Sequence, residues 1–562
     1  MSVLNNIIKI NKLYSRNSGV LRTYLRYSSS QSEFLRSPFP DLNIPDVNIV
    51  DYVMQGFGRW PNKIALECGI TGRKYTFDDV RIKSNKFGMA LKEILKLKKG
   101  DVLALVLPNV PEYGLCVFGA MKMGITITTV NPIYTPAEVE RQFIDSDTKA
   151  VVTLGMFIPL VKAATAKINK NIPIIAIKSD PNEQFPEGTI IFNDLLGANV
   201  NCKEDPIFGD EIAVIPYSSG TTGLPKGVEL TNNNLVANVT QYNYDAEPER
   251  EHDILPSVLP MFHIYGFTNQ ILGSLQKGIK LVTLPKFTPE LYLSTIVKQK
   301  VTALMLVPPI VLFLNSHPAV KREHLQHLRC IVCGGAPLSA NDEAKFKEKV
   351  GKNIPILQGY GLTETSPLVL TVPEGKEKDG GMGYVVNNTI VKVVSIDDPD
   401  CKHLSSNNVG ELLVKGPQVM KGYHNKPKET EEAFWNGFLR TGDLVRYDED
   451  GMFYICDRIK ELIKVKGFQV PPAELEEVIR RYPGVGEAAV IGVPHERYGE
   501  APKAYIVQKQ GSKIDVDKLV EFVNANVAPY KQLSGGVSIV DNIPKNPSGK
   551  ILRRQLKILY EK

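Results

Sequence analysis

The chain has 562 residues, 43% hydrophobic and 23% charged, values of a globular protein that exclude long disordered or low-complexity tracts. Its formal charge of +6 is concentrated at one end, where residues 1–32 carry Lys9, Lys12, Arg16, Arg22 and Arg26 and no acid precedes Glu33, so the body shows no nucleic-acid-binding basicity. Seven cysteines in so long a chain do not form a disulfide framework and point to a reducing compartment.

Residues 1–32 are also rich in Ser, Asn, Leu and Ile, and Arg26-Tyr27-Ser28-Ser29-Ser30 resembles a processing site. That composition suits a mitochondrial transit peptide; the other reading is an extension that targets nothing and leaves the protein cytoplasmic. No apolar run reaches the roughly 18 residues of a membrane span, so none is expected.

A length-based prior gives about three to four domains or subdomains. Between residues 48 and 440 short apolar β-like runs alternate with amphipathic stretches. Residues 102–107 read as a buried strand closed by Pro108-Asn109, 114–123 as a helix ending near Gly124, and 125–130 as the next strand. The pattern returns at 150–154, 173–178 and 212–217. Such alternation predicts α/β layers on parallel sheets.

Directly after the last of these strands, residues 218–227 read Ser-Ser-Gly-Thr-Thr-Gly-Leu-Pro-Lys-Gly. Glycines let backbone N–H groups approach phosphate oxygens, hydroxyls add donors, and Lys226 adds a mobile cation, which together suit a triphosphate cradle. It is not a Walker A loop, because Lys226 precedes Gly227 and apolar Val228 instead of Ser or Thr. Further on, Cys330 and Cys333 spell C-x-x-C inside a β-like run, where alternate faces make a poor chelate, so both are read as structural.

The texture changes after Gly442-Asp443. Asp448-Glu449-Asp450-Gly451 is a hairpin turn between 444–447 and 452–455, followed by the charged joint Asp457-Arg458-Ile459-Lys460-Glu461. A helix is predicted over 472–482, with Pro and Glu at its start and Arg480-Arg481 at its end. The expected architecture is α/β: an N-terminal extension (1–32), a large layered region with parallel sheets (33–457), and a small mobile α+β C-terminal domain (458–562).

With Gln358-Gly359-Tyr360-Gly361-Leu362-Thr363-Glu364-Thr365 added to the phosphate loop, the chain resembles the adenylate-forming superfamily of acyl-CoA synthetases, luciferases and peptide-synthetase adenylation domains. Thr441-Gly442-Asp443, the run 457–470 and Pro544-Lys545-Asn546-Pro547-Ser548-Gly549-Lys550 stand in the family's order, so the resemblance covers residues 40 to 562. Through residues 464–475 it is most similar to the 4-coumarate–CoA ligases. The resemblance implies a two-step ligase: ATP and a carboxylic acid give acyl-AMP and pyrophosphate, and coenzyme A then takes the acyl group.

Activating a carboxylate on an α-phosphate is mostly a matter of positioning and charge neutralisation. On this resemblance Ser218, Ser219, Gly220, Thr221, Thr222 and Lys226 hold the β- and γ-phosphates, and Mg²⁺ is held with help from Glu364. Gln358, Gly359 and Thr363 lie against the nucleotide and acid. Asp443 accepts from the ribose, with Arg458, Lys460 and Gln469 nearby. Lys550 is the lysine of the first step and Lys464 that of the second, presented by opposite faces of one domain that swivels at Lys460. Lys286, Lys466 and Gly467 are the coenzyme A contacts. His263, Tyr265, Gly335, Gly359 and Thr363 meet the acid, with Asn269, Val332, Gly361, Leu368 and Val369 around it.

The family's plant members often have Ser-Gly-Ala-Ala-Pro where this chain has Cys333-Gly334-Gly335-Ala336-Pro337, and the missing methyl at Gly335 implies a deeper pocket. The expected acid is 4-coumarate or a related phenylpropanoid acid. The alternatives are a medium- or long-chain fatty acid, luciferase-like oxygen chemistry, or a non-catalytic adenylate-binding protein, the last opposed by intact Lys226, Glu364, Asp443, Lys464 and Lys550.

Overall fold

The computed structural model describes residues 33–168, 171–218, 224–245, 250–466, 468–546 and 549–560, so the reading of residues 1–32 lies outside the described residues. The expected class holds: a large α/β domain is followed by a smaller one.

The alternation in the sequence becomes an eight-stranded sheet. Its order is Gly422–Tyr423, Lys226–Thr231, Ile212–Ser218, Thr126–Val130, Val102–Val106, Thr148–Leu154, Ile174–Ile177 and Ile190–Ile191. From Ile212–Ser218 onward the strands are parallel. Val102–Val106 is buried along its length, with Leu103 and Leu105 in one core and Ala104 and Val106 in another, the two-sided burial that parallel sheets require. The helix expected at 114–123 starts earlier, at Pro111–Lys122, because proline lacks the N–H that the first helical turn leaves unused.

A parallel trio, Ala303–Leu306, Cys330–Cys333 and Ile356–Gly361, continues antiparallel into Leu368–Thr371 and Tyr384–Val385. Cys330 and Cys333 point into different cores, as strand alternation dictates. One layer was not expected beyond its single hairpin. It is an antiparallel sheet of Leu35–Arg36, Ile390–Val394, Gly410–Lys415, Phe438–Tyr447, Phe434–Trp435 and Phe453–Arg458.

The chain leaves this sheet at Arg458 and enters the small domain through one turn, Ile459–Glu461. There Val485–His495 and Gly499–Gln508 form a long hairpin, edged by Ile463–Val465 with Phe468–Val470 and by Val537–Ile539. Ala488 and Val490 face helices Pro472–Arg480 and Val516–Ala525, while Ala489 and Ile491 face Leu556 of Arg553–Tyr560. Two cores of its own make it a body able to keep its shape apart from the large domain. Among the described residues no helix is long and apolar enough to cross a membrane.

Candidate active site

A cavity of about 860 Å³ lies where the ends of the parallel strands meet the small domain, the place where open α/β sheets bind ligands.

At one end, Ser218 closes the strand Ile212–Ser218 and Lys226 opens its return strand, the two in register. Ser219, Gly220, Thr221 and Thr222 lie outside the described residues. Ser218 Oγ and the Tyr423 hydroxyl each donate to Glu364 Oε1 at 3.0 Å, and Lys226 Nζ sits 4.6 Å from the Tyr423 ring centre. One carboxylate between two hydroxyls suits Mg²⁺, which takes few protein ligands and completes its shell with phosphates and water. Among the described residues no group of three His, Cys, Asp or Glu offers a fuller metal cage.

Deeper in, His263 lines the cavity. Its Nδ1 accepts from the Tyr265 amide at 3.3 Å, which leaves Nε2 to carry the proton and donate. Burial pushes its pKa down to about 4, so the ring is neutral. Asn109 and Thr129 fix the loop that carries it: Asn109 Oδ1 accepts from Met261 N at 2.8 Å, and Thr129 Oγ1 donates to the Phe262 carbonyl at 2.7 Å. The next segment, Tyr265–Ser274, winds as a π-helix, a form that collects at functional sites. It presents Asn269, 3% exposed, whose Oδ1 has no hydrogen-bond partner among the described residues.

Gly335, Gly359 and Thr363 also line the cavity. Gly335 has φ +82, a left-handed backbone conformation that favours glycine there whatever the depth of the pocket. Gly361 leaves no room for a side chain, since a β-carbon there would collide with the Pro367 carbonyl. Gln358 does not reach the cavity. It is 3% exposed, and its amide is spent on Leu338, accepting from the N–H at 2.9 Å and donating to the carbonyl at 3.2 Å. Val369 likewise turns into a core behind the wall, whereas its neighbour Leu368 lines the cavity. Strand alternation is the reason for Gln358; at Val369 the ladder is irregular, with Tyr360 opposite Leu370 and Gly361 opposite Leu368.

At the other end, Asp443 lies just beneath the wall, 2% exposed. Its Oδ2 accepts from the Tyr360 hydroxyl at 2.6 Å, and its Oδ1 meets Arg458 Nε at 2.9 Å. Burial raises its pKa, and Arg458 opposes that rise. Each oxygen keeps a second lone pair, but Asp443 serves first as the floor under Arg458. Glu411, bound to Arg440 at 2.6 Å, accepts from the Gly442 amide at 3.2 Å and so holds the loop in place. Asn109, Tyr360, Glu411 and Tyr423 carry no local signal as positioning groups, since their partners are distant in the chain.

Arg458, Lys460 and Lys550 line the cavity. Lys550 is raised on a tight turn in which Asn546 Oδ1 accepts its N–H at 2.8 Å; burial, then Arg458, lowers its pKa. Lys464 and Gln469 are exposed cross-strand partners that do not line the cavity. Lys466, at φ +52, stacks its ammonium 4.2 Å from the Tyr498 ring centre, and Gly467 lies outside the described residues. Lys286 is exposed on the large domain, also away from the cavity. The lysines expected in the first step and in the second therefore stand on different faces.

Residues 55–424 match the family model described as AMP-binding enzyme, and residues 474–550 match the AMP-binding enzyme C-terminal domain. The chain is 37% identical over 544 residues to "4-coumarate--CoA ligase 1" of Arabidopsis thaliana, covering 94% of this chain and 96% of that one. Its fold superposes on the anthranilate CoA ligase AuaEII with anthranoyl-AMP at a TM-score of 0.85 and 25% identity, covering 92% and 98% of the two chains. It superposes on ATP-bound MatB from Rhodopseudomonas palustris at 0.83 and 28% identity, covering 92% and 99%, and on the apo form of that protein at 0.73.

Proposed function

The chain belongs to the AMP-binding enzyme family of ATP-dependent carboxylate–coenzyme A ligases, and we propose that its acid is a hydroxylated aryl acid of the 4-coumarate class. The observation that carries this reading is the likeness to the Arabidopsis ligase, 37% identical over 94% of this chain. Asn269 supports it as a polar side chain bordering the cavity, which a ring hydroxyl would engage and a fatty acid would not.

In the first step a carboxylate oxygen attacks the α-phosphorus of ATP and the bond to pyrophosphate breaks. Lys226, Ser218 and the hydroxyl-rich loop neutralise the departing phosphates, while Glu364 would hold Mg²⁺, which supplies charge to them. Neutral His263 donates from Nε2 to the acid, leaving the carboxylate its negative charge and hence its nucleophilicity. Thr363 donates to the α-phosphate, and Arg458 lies over the ribose with Asp443 beneath it. Lys550 brings the cation that meets the charge developing between carboxylate and phosphate. In the second step the coenzyme A thiol, losing its proton, attacks the acyl carbon and AMP leaves. For this the small domain turns at Lys460 and exchanges Lys550 for Lys464, bringing Lys466 and Gly467 toward coenzyme A and Lys286. The higher likeness to ATP-bound than to apo MatB supports taking the present arrangement as that of the first step.

The test is a pyrophosphate-release screen over 4-coumarate, cinnamate, benzoates and fatty acids, with wild type and Asn269→Leu. Wild type is expected to prefer 4-coumarate to cinnamate in kcat/KM by roughly tenfold or more, and Asn269→Leu to reverse the preference. A wild type that favours fatty acids, or a preference unchanged by the substitution, rejects the reading.

A further inference from the structure

Lys550 does not stand alone in the cavity wall. Its Nζ lies 3.7 Å from Glu461 Oε1. The other oxygen of that carboxylate accepts from Arg553 Nη1 at 2.6 Å, and Arg553 Nη2 donates to Glu476 Oε1 at 2.6 Å. Arg553 Nε donates to the Val490 carbonyl at 3.2 Å, and Glu476 Oε1 accepts the Val490 amide at 2.9 Å. The guanidinium is thus fixed to two carboxylates and a central strand.

The two distances to Glu461 differ in meaning. At 2.6 Å the carboxylate is anchored to Arg553 by a charge-assisted bond. At 3.7 Å it only attracts Lys550, whose long side chain loses much rotamer freedom when aimed at one spot. Glu461 is also the last residue of the turn Ile459–Glu461 that joins the domains, so the joint and the loop carrying Lys550 meet through this contact.

We propose that Glu461, anchored by Arg553, is a positioning residue that keeps the Lys550 ammonium aimed into the cavity and charged until the phosphate and carboxylate oxygens of the substrates take it over. This rests on the assignment of Lys550 to the adenylation step. The charged groups facing Lys550 are the cations Arg458 and Arg553 and the anions Asp443 and Glu461. Burial and the two cations disfavour its charged form, and the two anions favour it.

The test follows pyrophosphate exchange against pH, reading kcat/KM, in the full-length enzyme. Glu461→Gln should lower exchange by roughly tenfold to a hundredfold and move its alkaline limb to lower pH, because Lys550 loses an anion. Arg553→Gln should move the limb to higher pH, because Lys550 loses a cation while Glu461 keeps its charge. Glu461→Asp, charged on a shorter stem, should fall between wild type and Glu461→Gln, and it decides the matter with Glu461→Gln if Arg553→Gln does not fold. Thioester formation from supplied acyl-AMP should fall far less than exchange in every variant. Exchange that survives in Lys550→Ala would show that the assignment of Lys550 fails. Exchange lost in Lys550→Ala, with the wild-type alkaline limb kept in Glu461→Gln and Glu461→Asp, would overturn the positioning role alone.

Discussion

Asp443 and Arg458 face each other in register across adjacent strands, with the guanidinium Nε 2.9 Å from the carboxylate. Arg458 is the last residue of the antiparallel sheet, so the pair ties the cavity floor to the point where the chain crosses into the small domain. Arg458→Met leaves a carboxylate that is 2% exposed without its cation. A loss of about 1–3 kcal/mol is expected, together with a large fall in nucleotide affinity. Burial already raises the pKa of Asp443, and without Arg458 it rises further. The stability deficit of the variant should therefore shrink as the pH is lowered and Asp443 takes up a proton. Thermal melting at pH 5 and pH 8 measures this; a deficit independent of pH contradicts it.

Lys464 is exposed and lies outside the cavity. Lys464→Ala should leave pyrophosphate exchange near wild type while thioester formation from supplied acyl-AMP falls by roughly a hundredfold. Equal losses in both half-reactions would mean that the two faces of the small domain do not divide the work.

His263 titrates near 4 in the folded protein because of burial, against about 6.5 when unfolded. Between those values the unfolded chain binds the extra proton, so this residue's contribution to stability is fully present above pH 6.5 and is lost as the pH falls toward 4. The span corresponds to at most about 3 kcal/mol, reduced where the ring opens to the cavity. His263→Gln should flatten the melting profile over that window. Half-buried His403, also pushed down to about 4, adds a slope of the same sign that the variant keeps. A profile as steep as wild type would show that His263 is not held neutral.

For residues 1–32 we propose mitochondrial targeting, from their basic, acid-free composition. Deleting them from a tagged protein should redistribute it from mitochondria to the cytosol under the microscope. An unchanged distribution supports the plain extension.

Much of the fold was legible because burial on both faces writes itself locally, as in Val102–Val106. The turn that carries Lys550 was legible for a similar reason, since Asn546 and Lys550 sit in one short run. The six-stranded antiparallel layer was not, because it pairs Leu35 with Val391 and no local pattern reports such a partner. Gln358 shows the limit within a motif. It alternates with Leu357 and Gly359, which line the cavity, and so faces away; Tyr360 packs with Val369 and Leu370 behind the wall and reaches the site through its hydroxyl on Asp443. Asn109 is a third kind of case, a residue that only closes a strand in sequence yet clamps the loop of His263 across the molecule.

Lys545, Asn546, Lys550, Leu552 and Gln555 all come from the small domain, so one side of the cavity belongs to a separately folded body. An acyl-adenylate is a mixed anhydride that water destroys. On the proposed mechanism the body that brings the cation for making it would also be the roof that keeps it dry. The time that roof stands open would then set how much ATP is spent on free acid and AMP instead of thioester, and the single turn Ile459–Glu461 would govern fidelity as well as rate.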